Sequence, residues 1–85
     1  MRAVPESWED AVGIETRAWR KKAGLTQRQA ARRAGVSQST LSRMESGTPA
    51  TMANARKLLG DDLPTVMAAA DALWAKHLKG EASGE

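Results

Sequence analysis

Residues 26–47 constrain the fold most, because they carry the start and stop signals of two short helices in close succession. Thr26 is a favourable N-cap, and Gln29 follows three residues later, where it completes a capping box. Gly35 can adopt the left-handed backbone conformation that ends a helix. The sequence therefore predicts a helix over residues 27–34.

The second helix of this stretch is delimited in the same way. Ser37 is its predicted N-cap, and Gly47 ends it after residue 46. Only Gly35, Val36 and Ser37 separate the two predicted helices, so the helices must cross steeply. Two short helices joined by such a tight turn form a helix-turn-helix.

The residue types on the two helices fit this crossing. Ala30, Ala31 and Ala34 let the helices approach closely, and Val36 and Leu41 then fill the angle between them. The outer face of the second helix is polar and consists of Gln38, Ser39, Thr40, Ser42 and Arg43. Side chains of these types can read base edges in the major groove of DNA. Taken alone, however, such residues are more typical of an ordinary solvated helix face.

The distribution of charge favours nucleic acid as the partner of this face. Between Arg17 and Lys57 there are ten basic residues and one acid, Glu45, although the net charge of the whole chain is only +3. The flanking segments are acidic. Such segregation attracts a polyanion to the central segment, whereas basic residues that only kept the helices soluble would be mixed with acids.

Size and composition limit the other possibilities. A chain of 85 residues without cysteine is predicted to form one small intracellular domain that has neither disulfides nor thiolate metal sites. No apolar run reaches the roughly 18 residues of a membrane span, and the acidic start lacks the apolar stretch of a signal peptide. His77 has no ligand neighbour at metal-binding spacing, and neither Ser39 nor Ser42 has a basic partner for nucleophilic catalysis. We therefore expect no enzyme, no metal, no cofactor and a cytoplasmic location.

The remaining chain is predicted to support the helix-turn-helix. An arm covers residues 1–9, in which Trp8 either docks on the domain or stays exposed, and the domain itself covers residues 10–79. Further helices are predicted over 10–23, 52–59 and 63–78, with a disordered tail over 80–85.

Together these residues resemble the Xre/Cro-type helix-turn-helix family, the DNA-binding domain of many phage repressors and small bacterial regulators. The resemblance covers residues 16–59, and the segments that carry it are Arg20, residues 23–27, Ala31, residues 35–37, Leu41–Ser42 and residues 45–47. It implies an all-α, compact fold of five helices like that of lambda repressor. Helices two and three would form the helix-turn-helix, and helix three would lie in the major groove.

The resemblance also implies roles for individual residues. Gln38, Ser39 and Arg43 would read base edges. Contacts to the DNA backbone would come from Gln27, Arg28, Thr40, Ser42 and Ser46. Arg20 and Glu45 match positions that form an internal ion pair, so they would stabilise the domain instead of contacting DNA.

Two positions depart from the family pattern, because Thr16 and Ala30 stand where larger aliphatic residues are usual. The missing volume would be filled either by Trp19, which we expect in the core, or by Trp74 of the last helix.

The last predicted helix has more apolar surface than one small core can bury. Its apolar residues include Val66, Met67, Ala70, Leu73 and Trp74. We therefore expect a homodimer through this helix, which would place two recognition helices on one face of a duplex. The alternative is a monomer in which Trp74 folds back into the core.

The sequence thus predicts a bacterial or phage-encoded transcription regulator, a repressor that binds double-stranded DNA as a dimer and acts by occupying its operator. A phage repressor, a restriction–modification controller and an antitoxin all fit this prediction. The rival hypothesis is a protein-interaction module or antitoxin whose last helix binds a partner protein.

Overall fold

The computed structural model describes residues 4–49 and 51–83, and within them helices are the only regular secondary structure. Five α-helices span Trp8–Lys22 (α1), Gln27–Ala34 (α2), Gln38–Glu45 (α3), Met52–Leu59 (α4) and Leu63–Ser83 (α5), and a 3-10 helix lies at Gly60–Asp62. The prediction of an all-α fold is confirmed.

The predicted caps of the helix-turn-helix are present. The Thr26 hydroxyl accepts the backbone N–H of Gln29 at 3.1 Å, and the Gln29 side chain accepts the backbone N–H of Thr26 at 2.9 Å. Gly35 ends α2 with φ at 73°, a left-handed conformation that other residues rarely adopt. Ser37 caps α3 through the N–H of Thr40. These local bonds fix both helix starts and the turn between them.

The two outer helices are longer than predicted. α1 begins at Trp8, because the Ser7 hydroxyl accepts the N–H of Asp10 and so caps the helix two residues earlier than expected. The predicted arm is therefore shorter than residues 1–9, and residues 1–3 lie outside the described part of the chain. α5 continues to Ser83 through most of the predicted tail, because a single glycine costs a helix only about 1 kcal/mol and the neighbouring residues favour helix. Residues 84–85 lie outside the described part.

Helices α1 and α5 run antiparallel, and two tryptophans of α1 join it to α5 and to the 3-10 helix that precedes α5. The Trp19 indole N–H donates to Asp62 at 2.8 Å, and the Trp8 indole N–H donates to Asp71 at 2.6 Å. The pair thus closes one side of the domain. The core beneath it consists of Ala30, Ala31, Leu41, Met44, Ala55, Leu58, Leu59 and Val66.

Trp19, and not Trp74, lies beside the small residue Ala30. Trp19 packs against the core, and it lines the same surface depression as Ala30. Trp74 instead stacks on His77, with the ring centroids 5.5 Å apart. Trp19 is thus packed on the described core and Trp74 is not, although a depression stays open between Trp19 and Ala30.

The burial of α5 corrects the predicted dimer face. Val66 and Ala70 are only 4% and 0% exposed, because they pack inside their own chain. They have no surface left for a second copy. Met67, Leu73 and Trp74 are half-buried, and Leu78, further along the helix, is 47% exposed. The apolar surplus of α5 thus lies in its C-terminal half.

Candidate nucleic-acid interface

The outer face of α3 carries the three residues expected to read bases. Gln38, Ser39 and Arg43 are exposed. Leu41 and Met44 on the opposite face are buried, with exposed fractions of 0% and 3%. This division follows from helical periodicity, because the two apolar residues are three positions apart and share the inner face. The polar face therefore projects away from the core.

An ion pair connects α3 to α1. The Arg20 guanidinium donates from Nε to Glu45 Oε2 at 2.6 Å and from Nη2 to Glu45 Oε1 at 3.0 Å, and the two side chains are only 9% and 5% exposed. A third bond runs from Arg20 Nη1 to the carbonyl oxygen of Leu25 at 2.8 Å. The hydrogen-bonded Glu45 carboxylate raises the pKa of Arg20 above its ordinary value, although burial acts in the opposite direction. Arg20 and Glu45 thus have the geometry expected of the internal pair.

The five residues expected at the DNA backbone lie in different surroundings. Arg28 and Ser46 are exposed, while Gln27, Thr40 and Ser42 are half-buried. Gln27 donates through Nε2 to Glu45 Oε1 at 3.1 Å, so its side chain already supports the ion pair. The Thr40 hydroxyl is hydrogen-bonded to that of Ser37 at 2.8 Å, and the Ser46 hydroxyl donates to the Ser42 carbonyl oxygen at 2.9 Å.

A cleft beside α3 brings three of these five residues together. It has a volume of about 620 Å³ and lies between α1, the start of α2 and the end of α3. Its lining is formed by Asp10, Ile14, Arg17, Arg20, Gln27, Ser42, Glu45 and Ser46. Arg28 and Thr40 do not line it. We name it the α1–α3 cleft.

A smaller cleft lies on the other side of α3. Its volume is about 170 Å³, and Thr40 and Arg43 line it together with Thr48, Thr51 and Asn54 from the turn after α3 and the start of α4. The polar face of α3 is therefore flanked by a cleft on each side.

Arg17 is the residue of this surface that the sequence analysis did not single out. In the sequence Arg17 is one of ten basic residues of the central segment, and in the structure it lines the α1–α3 cleft together with Gln27 and Ser42. Its spacing contained a usable signal, because Arg17 stands three residues before Arg20 and two such positions share a helix face.

Other kinds of site find no support in the described part of the chain. Among residues 4–49 and 51–83, no three His, Asp or Glu side chains come close enough to hold a metal ion. No helix in the same residues combines the length and apolar character needed to cross a membrane.

Comparisons with known proteins agree with this architecture. Residues 17–60, just over half of the chain, match the model of a family described as Helix-turn-helix. Among solved structures, the chain is similar to the crystal structure of the clp gene regulator ClgR from Corynebacterium glutamicum, with a TM-score of 0.80 and 24% sequence identity. That likeness covers 94% of this chain and 90% of that chain, and at this identity it shows the fold. No curated protein matches the chain.

Proposed function

The chain belongs to the helix-turn-helix family, and from that premise we propose that it is a sequence-specific transcription regulator that reads double-stranded DNA with α3. The observation that carries the proposal is the exposed polar face of α3, Gln38, Ser39 and Arg43, which lies between two clefts. This face belongs to the segment in which ten bases accompany one acid. A phosphate-lined groove is the partner that fits such a surface.

In this proposal the regulator acts as a repressor by occupying an operator, in the cytoplasm and on chromosomal or phage DNA. The clp gene regulator ClgR, which has a similar fold, is by its title a gene regulator, and this is consistent with the same general role. Neither the Arg43 nor the Gln38 side chain makes a hydrogen bond to another described residue, so both are available to bases.

Selection from a pool of random duplexes tests the proposed function. We expect enrichment of one sequence, with two half-sites about one helical turn apart if the protein binds as a two-fold dimer. Affinity for the enriched site should fall steeply between about 50 and 200 mM salt, while a gap over random duplex persists. A pool without enrichment, together with weak binding that shows no such gap, would contradict the proposal.

Replacing a base-reading side chain should relax the sequence preference. For Arg43→Ala and for Gln38→Ala we expect a loss of about 1–3 kcal/mol on the selected site and little change on random duplex. The physical reason is that arginine can pair bidentately with guanine and glutamine with adenine. Binding titrations on both duplexes provide the measurement.

Arg28→Ala is the matched control for Arg43→Ala, because both remove an exposed arginine from the helix-turn-helix. As a predicted backbone contact, Arg28 should contribute equally on both duplexes. If Arg43→Ala behaved like Arg28→Ala, Arg43 would contact phosphates and the proposed reading face would be wrong.

We propose a homodimer for this regulator and place its contact on the C-terminal half of α5. Support comes from exposed apolar side chains at that end of the α1–α5 pair, where Leu78 is 47% and Trp8 is 39% exposed and Leu73 and Trp74 are half-buried. A domain of this size benefits from covering them, since small cores are marginally stable. Two-fold pairing of one patch with itself is the commonest arrangement.

A charge on this patch should therefore separate the copies. At micromolar concentration we expect the wild type to sediment as a dimer and Leu78→Asp, like Leu73→Asp, as a monomer, because pairing would bury an unpaired carboxylate. Met52→Asp is the control, since Met52 is an exposed apolar residue, 59% accessible, on α4. A monomeric wild type, or dissociation only in Met52→Asp, would rule out this interface.

The same exposed patch favours one alternative function, a module whose last helix binds a partner protein. Salt dependence separates the two functions, because a protein-binding module has no reason to show a steep salt slope or a gap between selected and random duplex.

A further inference from the structure

Arg17 and Arg20 line the same cleft, but they differ in what they contact. Arg20 makes three hydrogen bonds, two to Glu45 and one to Leu25. Arg17 is half-buried and forms no hydrogen bond or ion pair with any of the described residues. A guanidinium is strongly polar and always charged, and it needs acceptors when its stem is packed on the protein. Arg17 therefore lacks the acceptor that Arg20 has.

The carboxylates of the cleft do not supply that acceptor. Glu45 is already bound by Arg20, which balances its charge, and by the neutral amide of Gln27. Asp10 accepts the backbone N–H of Glu6 at 2.9 Å. Since Asp10 precedes Arg17 by seven residues on α1, it lies about 10 Å away along the helix axis, at the other end of the cleft. The Arg17 guanidinium thus has no carboxylate partner among the described residues that line the cleft.

Two other residues that line the cleft, Gln27 and Ser42, carry hydrogen-bond donors. Gln27 gives one amide proton to Glu45 and retains a second, because a primary amide carries two. The Ser42 hydroxyl makes no hydrogen bond to another described side chain and lies next to Arg43 of the reading face. One unpaired guanidinium with neighbouring amide and hydroxyl donors forms a site for a singly charged oxyanion.

We propose that the α1–α3 cleft receives a DNA backbone phosphate and that Arg17 supplies the charge that binds it. The inference rests on the proposed function, because the cleft borders the reading face of α3 and a groove that admits α3 brings a phosphate strand to its edge. Arg17 joins Gln27 and Ser42 in this contact. Arg20, although it lines the same cleft, supports the fold only.

The salt dependence of DNA binding tests the assignment. Removing one phosphate contact lowers the slope of log K against log salt by about 0.9, which corresponds to about an eightfold loss of affinity at 0.1 M salt relative to 1 M. We expect this loss for Arg17→Ala equally on the selected and on random duplex, with an unchanged melting temperature. Arg17→Lys should restore most of the slope, because it keeps the charge.

Lys76→Ala is the charge-matched control, since Lys76 is exposed on α5 and does not line the cleft. It should leave the slope unchanged. Neutral methylphosphonate replacements, placed one phosphate at a time in the selected duplex, then locate the contact. One replacement should weaken the wild type about as much as Arg17→Ala does, and it should have no further effect on Arg17→Ala.

Each other outcome overturns the assignment. If Arg17→Ala keeps the slope of Lys76→Ala, Arg17 binds no phosphate. If it loses affinity for the selected duplex only, Arg17 reads a base. If inorganic phosphate binds the wild type and not Arg17→Ala while both proteins bind duplex with the same salt slope, the cleft holds free phosphate. A wild type that binds no duplex would contradict the proposed function. A wild type whose duplex binding depends steeply on salt, with the same slope in Arg17→Ala, would contradict this inference alone.

Discussion

Arg20→Ala is expected to destabilise the domain by about 3–5 kcal/mol, which is the usual cost of leaving one member of a buried ion pair without its partner. The Glu45 side chain is 5% exposed, so its carboxylate would stay buried with only the Gln27 amide to bind it. The carbonyl oxygen of Leu25 would also lose its donor. A domain of this size has a total stability of roughly 4–13 kcal/mol, so the variant should lose a large share of it and unfold at a much lower temperature than the wild type.

Thermal and urea denaturation followed by circular dichroism measure this effect. Arg17→Ala is the matched control, because it makes the same chemical change on the same helix and removes no bond to a described residue. Replacing both partners, as in Arg20→Met with Glu45→Leu, should cost much less than Arg20→Ala, because no buried charge is left alone. An Arg20→Ala variant with normal stability and lost DNA affinity would instead place Arg20 on the binding surface.

Gly13→Ala is expected to destabilise by about 3 kcal/mol or more, although alanine in a helix normally stabilises by roughly 1 kcal/mol relative to glycine. Gly13 lies where α1 crosses the end of α3. A methyl group at this position would overlap the carbonyl oxygen of Met44 and lie 2.9 Å from that of Glu45. Because both obstacles are backbone atoms, no side chain can move aside, and the two helices would have to separate.

The expected loss of stability in Gly13→Ala is opposite in sign to the effect of helix propensity. Ala18→Gly is the reference, since Ala18 is exposed on the same helix and should show only the propensity loss of about 1 kcal/mol. The melting temperatures of both variants can be compared with that of the wild type. If Gly13→Ala raised the melting temperature, α1 and α3 would not cross as closely as the structure has them.

The crossing at Gly13 also matters for DNA binding. It brings α1 against the end of α3 beside Glu45, and the α1–α3 cleft opens next to this contact. A shift of α1 would move Arg17 relative to Gln27 and Ser42. In Gly13→Ala we therefore expect both the stability of the domain and its affinity for phosphate to decrease. Arg17→Ala should lower the affinity for phosphate alone.

The sequence by itself determined the helix-turn-helix. Thr26, Gln29, Gly35 and Ser37 act within four residues of their own positions, through caps and a left-handed turn, so their effect can be derived without knowing the rest of the fold. The exposed face of α3 followed from helical periodicity for the same reason. The Arg20–Glu45 pair was a contact between distant residues, and the family resemblance was what indicated it.

Only the tertiary structure decided which apolar and charged side chains meet. The pattern of α5 showed that Val66 and Ala70 are apolar, but their burial within the chain depends on how α5 packs on the remaining helices. The position of Arg17 depends in the same way on α1, α2 and α3 meeting at one cleft. The close approach at Gly13 involves two helices, α1 and α3, from different parts of the chain. The residues around Gly13 do not by themselves determine how far apart these helices lie.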